Sequence, residues 1–275
     1  MNFTVIGGKG FIGGAVVARL RADGHEVSIP ERDDWRVLKH PLGHVIYSAG
    51  VTADFRSRPF DTMRAHVGFL VELLEHASFE SLLYLSSTRI YQNAKNADED
   101  SPIALRSEDP EAYYDLTKLA GEALCHASGC RNVRVARLAN VIGHDFRSAN
   151  FVSDLIRSAC RNGCIELRSA LDSEKDYLMI DDVVDVLPKI ALHGQYRCYN
   201  VATGFNTLHD RIVGVIAAAT GASFAVAPGA PRIVSPPVNI RRIQTEFGFV
   251  PRVVLSEIPL LINEYRKSTN AKDRS

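Results

Sequence analysis

Neither sign of charge is in excess in this chain: 32 lysines and arginines balance 32 aspartates and glutamates. Without a basic surplus there is no reason to expect nucleic acid or an anionic membrane as a partner. No apolar run is long enough to span a bilayer, and the N-terminus passes directly into a strand pattern without the regions of a signal peptide. The five cysteines (125, 130, 160, 164 and 198) include no Cys-x-x-Cys. Cys160 and Cys164 can share a helix face, but no histidine or second cysteine pair completes a zinc set. These absences predict a cytoplasmic protein with free thiols and no metal. Internal repeats and low-complexity tracts are lacking too. What remains is 275 residues of ordinary globular composition, 46% hydrophobic and 23% charged. That is enough for one large domain or two coupled ones.

The first organised stretch is Asn2-Phe-Thr-Val-Ile6, a short apolar strand running into Gly7-Gly-Lys-Gly10-Phe-Ile-Gly13. A helix follows, its apolar positions Ile12, Val16, Val17 and Leu20 recurring at helical spacing. Strand, three glycines three residues apart, helix: this is the context that a phosphate-cradling turn requires. The glycines allow a tight turn and close approach of backbone to a pyrophosphate, and the helix N-terminus supplies N–H donors. A second strand, Glu26-Val-Ser-Ile29, leads to Pro30-Glu31-Arg32. An acid about 20 residues beyond the glycines suits the ribose hydroxyl of NAD, and an arginine there suits the 2′-phosphate of NADP. This chain carries both, and Lys9 adds a charge inside the turn or is simply solvated.

Val45-Ile-Tyr47-Ser-Ala49-Gly50 reads as a third strand, a helix is predicted over 61–76, and Leu82–Leu85 is a fourth strand delivering Ser86, Ser87 and Thr88 at its carboxyl end. In open α/β sheets the ligand crevice lies outside those ends. Residues 92–112 read as a loop beside that crevice. Next comes Tyr114-Asp-Leu-Thr-Lys118, which places a tyrosine and a lysine one turn apart on one helix face. An ammonium nearby favours a phenolate, making the pair a poised acid/base; a surface tyrosine beside a solvated lysine has the same spacing. Alternating strands and helices imply a doubly wound parallel sheet, a Rossmann-type α/β fold. Beyond residue 145 the rhythm loosens. Asn150 precedes an amphipathic helix, Tyr199–Ala202 reads as a late strand, and Thr207-Leu-His-Asp210 has the form of a capping box.

Seven stretches carry a family resemblance. They are Gly7–Gly13, Leu85-Ser-Ser-Thr-Arg-Ile-Tyr91, Tyr114–Glu122, Arg137-Leu-Ala-Asn-Val-Ile-Gly143, Lys175-Asp-Tyr-Leu-Met-Ile-Asp-Asp-Val183, Tyr199-Asn-Val-Ala-Thr-Gly204 and Glu246-Phe-Gly-Phe-Val-Pro251. In this order they resemble the extended short-chain dehydrogenase/reductase family, in its nucleotide-sugar epimerase/dehydratase/reductase branch, from residue 3 to about 266. The resemblance implies an NAD(P)-binding domain over 1–145, completed by parts of 176–202, and a small interleaved substrate lobe within 146–275. It implies Tyr114 as acid/base, Lys118 as the ribose ligand that depresses the tyrosine pKa, and Ser87 as holder of the reacting oxygen. Cofactor contacts would be Gly7, Lys9, Gly10, Phe11, Ile12, Gly13, Glu31, Arg32 and Ala49, with Tyr114 and Lys118. Substrate contacts would be Ser87, Thr88, Asn140, Asn150 and Arg232, and the helices at 61–76 and 113–127 would form a homodimer.

Departures narrow the expectation. The 4,6-dehydratases carry an Asp-Glu pair where Thr88-Arg89 stands, which disfavours water elimination. Gln92, His144, Lys175 and His66 replace the usual Gly, Pro, Arg and Asn. Lys9 and Arg32 are similar to the basic residues of NADP-using GDP-fucose synthases. The expectation is therefore a nucleotide-sugar 4-ketoreductase using NADP(H) rather than NAD(H). A 4-epimerase with retained NAD, and a non-catalytic NAD(P)-binding regulator, are the alternatives.

Overall fold

A computed structural model describes residues 1–32, 34–52, 54–146 and 150–272. In the first half of the chain the elements are β1 (Asn2–Ile6), α1 (Phe11–Ala22), β2 (Glu26–Ser28), β3 (His44–Tyr47), α2 (Pro59–Met63), α3 (Phe69–His76), β4 (Ser81–Ser87), α4 (Tyr113–Ala127) and β5 (Val133–Leu138). In the second half they are β6 (Asn140–Ile142), α5 (Phe151–Asn162), β7 (Cys164–Leu167), β8 (Glu174–Met179), α6 (Ile180–His193), β9 (Cys198–Val201), β10 (Asn206–Leu208), α7 (His209–Thr220), β11 (Ser223–Val226), α8 (Arg241–Phe247) and α9 (Val254–Lys272).

Six strands form one sheet in the order β2-β1-β3-β4-β5-β9, every neighbouring pair parallel. Alternation along each strand sorts side chains onto two faces. Phe3, Val5, Leu83 and Leu85 pack with Val16 and Leu20 of α1 and Val183, Leu187 and Ile190 of α6. Ile6, Val45, Leu82 and Tyr84 pack on the other face with Leu70 and Leu73 of α3 and Cys125 of α4. Burial on both faces is what a doubly wound sheet requires. The remaining elements make a three-stranded sheet, β10-β8-β6, and a parallel pair, β11-β7. A third core there joins Leu155 and Ile156 of α5, Ile212 and Ile216 of α7, and Ile258, Leu261 and Tyr265 of α9.

Two local expectations are overturned. The helix expected over 61–76 is broken: a π-helical turn at Arg64–Gly68 separates α2 from α3. Of the apolar residues Met63, Val67, Leu70, Val71 and Leu74 expected to face inward, only Leu70 is buried, and Thr62, His66 and Leu73 complete the inward face. Nor is Thr207 an N-cap. It pairs with Lys175 in a β-ladder, and α7 starts two residues later at His209 without a side-chain cap. The His209 and Asp210 N–H groups are satisfied by the Ser173 and Leu171 carbonyls, at 2.8 and 3.0 Å. Tertiary acceptors thus replace the local cap.

Candidate active site

Three carboxyl strand ends, those of β1, β3 and β4, meet at one edge of the sheet. β1 stops at Ile6 and the chain turns immediately. Gly7 has a φ of 80°, a left-handed conformation strained for other residues. A Cβ there would also lie 2.7 Å from the Ala49 backbone nitrogen just beyond β3. At Gly13 a Cβ would run into the Gly7 carbonyl oxygen. Gly10 is the N-cap of α1 and brings no side-chain acceptor, so the helix N-terminus is left for an outside anion. Phe11 and Ile12, the first residues of α1, pack against the core below. This backbone cradle, which any Cβ at Gly7 or Gly13 would fill, fits a dinucleotide pyrophosphate. Lys9 is ion-paired with Glu31 across its mouth, both side chains about two-thirds exposed at 69% and 68%. Arg32 is exposed, and its guanidinium bonds nothing among the described residues.

The second cluster is built by α4 lying against the end of β4. Tyr114, Thr117, Lys118, Gly121, Glu122 and Cys125 form the buried face of this helix. A helix face with so few apolar residues needs polar partners inside. Lys118 finds one in the Leu85 carbonyl, to which Nζ donates at 2.9 Å. Burial pulls the Lys118 pKa down to about 7, with Glu122 pulling the other way. Tyr114 is also buried. Burial, then the Asp115 carboxylate, push its pKa up to about 12, against Arg89 and hydrogen bonds with Thr52 and Ser87. Burial and Asp115 thus push the Tyr114 pKa in the opposite direction to the one the Tyr–Lys spacing suggests, while the lysine is drawn to a backbone carbonyl.

Around the phenol, Ser87 serves twice. Besides bonding Tyr114, its hydroxyl accepts from the Arg89 N–H at 3.2 Å and so caps the short turn Thr88–Tyr91. Thr88 opens that turn and is partly exposed. Phe55 packs on Tyr114 with ring centroids 5.6 Å apart, and His66 meets the same ring edge-on at 5.2 Å. His66 is fully buried. Its Nδ1 bonds the Thr117 hydroxyl at 2.8 Å, and that hydroxyl donates to the Tyr114 carbonyl, which makes Nδ1 the protonated nitrogen. Desolvation, then the Lys118 charge, push the His66 pKa to about 2, so the imidazole stays neutral.

The remaining candidates lie elsewhere and are engaged. Asn140 opens β6 and donates to the Asp176 carbonyl at 2.8 Å. Asn150 is the N-cap of α5, its oxygen accepting from the Ser153 N–H at 2.9 Å; its buried amide nitrogen has no partner among the described residues. Arg232 is paired with Asp172 at 2.6 Å on an exposed surface. The structure thus brings Ser87, Thr88, Tyr114 and Lys118 together, and sets Asn140, Asn150 and Arg232 in the second half of the chain. Sequence reasoning missed Thr52 and Phe55. Their position just beyond β3, at a carboxyl strand end, was the available signal.

Residues 3–202 match the model of the NAD dependent epimerase/dehydratase family. The chain belongs to that family. It is accordingly an enzyme, one of a family of NAD(P)-dependent epimerases, dehydratases and reductases. A GDP-L-fucose synthase of Sinorhizobium fredii is 26% identical over 232 residues, spanning 73% of this chain and 74% of that protein. Among solved structures, a UDP-glucose 4-epimerase of Thermotoga maritima with UDP-glucose superposes with a TM-score of 0.82 at 20% identity, over 98% of this chain and 100% of that one. RMD of Pseudomonas aeruginosa, complexed with NADPH, has a TM-score of 0.79 at 22% identity, over 97% and 100%. At these identities the two structures share the fold. Among the described residues no helix is long and apolar enough to cross a membrane.

Proposed function

We propose that this enzyme is a reductase of a nucleotide-linked 4-keto sugar, with Tyr114 as its acid. The observation that carries the reading is the buried Tyr114 phenol at the carboxyl end of β4 by Ser87, its pKa pushed up by burial and Asp115, beside a lysine turned to Leu85. A phenol held in its acid form suits reduction, in which a proton must be given to the oxygen of a carbonyl becoming a hydroxyl. An epimerase begins with oxidation, which asks for the phenolate that burial and Asp115 oppose. The bound dinucleotide supplies the hydride. Gly7, Gly10, Phe11, Ile12 and Gly13 would hold its pyrophosphate, Lys118 its nicotinamide ribose, and Ala49 would line its path. Ser87 would orient the substrate carbonyl oxygen and Tyr114 would protonate it. The substrate nucleotide would lie over residues 146–275, where Asn150 has an amide nitrogen without a partner among the described residues and Arg232, paired with Asp172, adds a surface charge; the cofactor would lie over 1–145. The test is to mix the protein with NADPH and a 4-keto nucleotide sugar and follow NADPH fluorescence. Net loss of reduced cofactor is expected. Tightly retained NAD with no net oxidation in either direction would replace this reading by the epimerase.

Cofactor choice follows from the mouth of the cradle. Lys9 neutralises Glu31, which otherwise repels a 2′-phosphate, and the exposed Arg32 next in sequence bonds nothing among the described residues. NADPH is therefore expected to bind more tightly than NADH, and Arg32→Ala to narrow the gap by about tenfold, the value of one charge-assisted contact. A titration in which the wild type prefers NADH would show that Glu31 controls the ribose instead.

The same reading includes a homodimer. On α4 Leu116 is only half-covered and Ala120 and Ala123 are exposed, whereas Leu119 and Leu124 pack partly against the chain's own cores. Phe60 and Met63 of α2 are 76% and 41% exposed. Phe69 is not on this open face, being half-buried against Trp35 at 5.2 Å. A second copy over these helices would bury roughly 1,200–2,000 Å². Light scattering should give about twice the 30.3 kDa chain mass, and Met63→Arg with Leu116→Arg should give the monomer. A wild-type monomer at micromolar concentration rejects this assembly.

A further inference from the structure

The guanidinium of Arg89 is placed at the reacting end of the site and is only partly used. Its carbon lies 5.5 Å from the Tyr114 ring centroid and 5.1 Å from that of Phe55. Its backbone N–H is bonded to Ser87. Nη2 donates to the Glu111 carbonyl at 2.8 Å and meets the Glu111 carboxylate at 3.4 Å, while Nε lies 3.5 Å from Asp115 Oδ1. Those contacts occupy one side of the fork. Nη1 bonds nothing among the described residues, and 31% of the side chain stays exposed. Glu111 is itself shared, because Arg56 pairs with the same carboxylate. Lys175, half-buried on β8, has an ammonium with no hydrogen bond or ion pair among the described residues. Burial and then the neighbouring Arg89 charge pull its pKa down. Arg89 is thus held by carboxylates on one side only, and a bound anion would be favoured on its open side and by the neighbouring Lys175.

We propose that Arg89 forms a carboxylate subsite beside the reacting carbon, so that the substrate is a nucleotide-linked sugar whose ring bears a carboxylate, a uronate or its keto form. The inference rests on the nucleotide-sugar reading above and narrows it. The subsite is adjacent to Ser87 and Tyr114, where the sugar ring must sit for Tyr114 to reach its oxygen, and so lies at the sugar rather than at the diphosphate. The guanidinium is already immobilised by Glu111, Asp115 and Phe55, so little rotamer entropy remains to be lost on binding. A neutral hydroxymethyl group in the same place would offer Nη1 a single uncharged acceptor, a weaker partner than a carboxylate.

The test compares ligands that differ only in that group: calorimetric titration of the dinucleotide-loaded enzyme with UDP-glucuronate against UDP-glucose, and with GDP-mannuronate against GDP-mannose. Within each pair the base and diphosphate are identical. In at least one pair the uronate should bind tenfold or more tightly, about 1.4 kcal/mol. Arg89→Gln should bring that ratio close to one, and Arg89→Lys should restore part of it, which a purely structural arginine would not do. If Arg89→Gln fails to fold because Asp115 is stranded, Arg89→Gln with Asp115→Asn replaces it. Equal binding of uronate and neutral sugar by the wild type, or a preference that survives Arg89→Gln, overturns the subsite and leaves the nucleotide-sugar reading standing. Binding of none of the four ligands overturns both.

Discussion

Replacing Tyr114 by phenylalanine should lower turnover by ~10²–10⁴-fold, the usual consequence of removing a positioned acid/base, while dinucleotide affinity changes little. The two readouts separate because the hydroxyl is the only group removed. The ring stays packed between Phe55 and His66, at 5.6 and 5.2 Å, so the local fold is retained. Loss of the hydroxyl leaves Ser87 and Thr52 each without one hydrogen bond, a modest cost because both side chains can turn to water or to substrate. The cradle of Gly7 and Gly13, belonging to β1 and α1, is untouched. Steady-state rates within a few-fold of wild type would show that Ser87 or another group moves the proton. A parallel loss of dinucleotide binding would instead mark Tyr114 as structural.

Arg137→Met should destabilise the protein by about 3–5 kcal/mol, the range found when one member of a buried ion pair is removed. Arg137 and Glu122 are 7% and 3% exposed, with Nη2 donating to Oε2 at 2.6 Å and Nε to both carboxylate oxygens at 3.1 Å. Nη1 adds bonds to the Tyr91 hydroxyl at 2.5 Å and the Glu99 carbonyl at 3.1 Å. Tyr91 passes the network on to Asn200, whose side chain donates to the Ala97 and Asn239 carbonyls at 3.0 and 2.9 Å. One guanidinium thereby fastens α4, β5, the loop at 92–102 and β9. Methionine fills similar volume but strands the Glu122 carboxylate in a dry site. Urea unfolding measures the loss. Adding Glu122→Leu to the same chain should recover much of it, because a buried pair is close to break-even against apolar residues of similar size. A single variant within 1 kcal/mol of wild type would mean that water reaches Glu122.

The order β1–glycine turn–α1, the strand ends that carry Ser87 and Ala49, and the placing of Tyr114 and Lys118 on one helix face were all legible in the sequence. Each depends on local periodicity or on a spacing within one turn, and local rules need no knowledge of the rest of the chain. Where a tertiary partner competed, the local rule lost. Thr207 had the form of a helix cap but was taken by pairing with Lys175, and the helix at 61–76 was widened by a π turn that carries His66 inward to Thr117. The chemical state of the site was also decided in three dimensions. Lys118 is turned to Leu85, 33 residues away in sequence, Lys9 to Glu31, 22 away, and Arg137 to Tyr91, 46 away. Charge state and pairing depend on desolvation and on which segment arrives opposite, and the topology of the sheet sets both. The sequence by itself determined that a glycine turn between strand and helix and a helix carrying Tyr114 and Lys118 exist. Only the tertiary structure decided that the tyrosine is buried, which pushes its pKa up, and that the Arg89 guanidinium stands beside its ring.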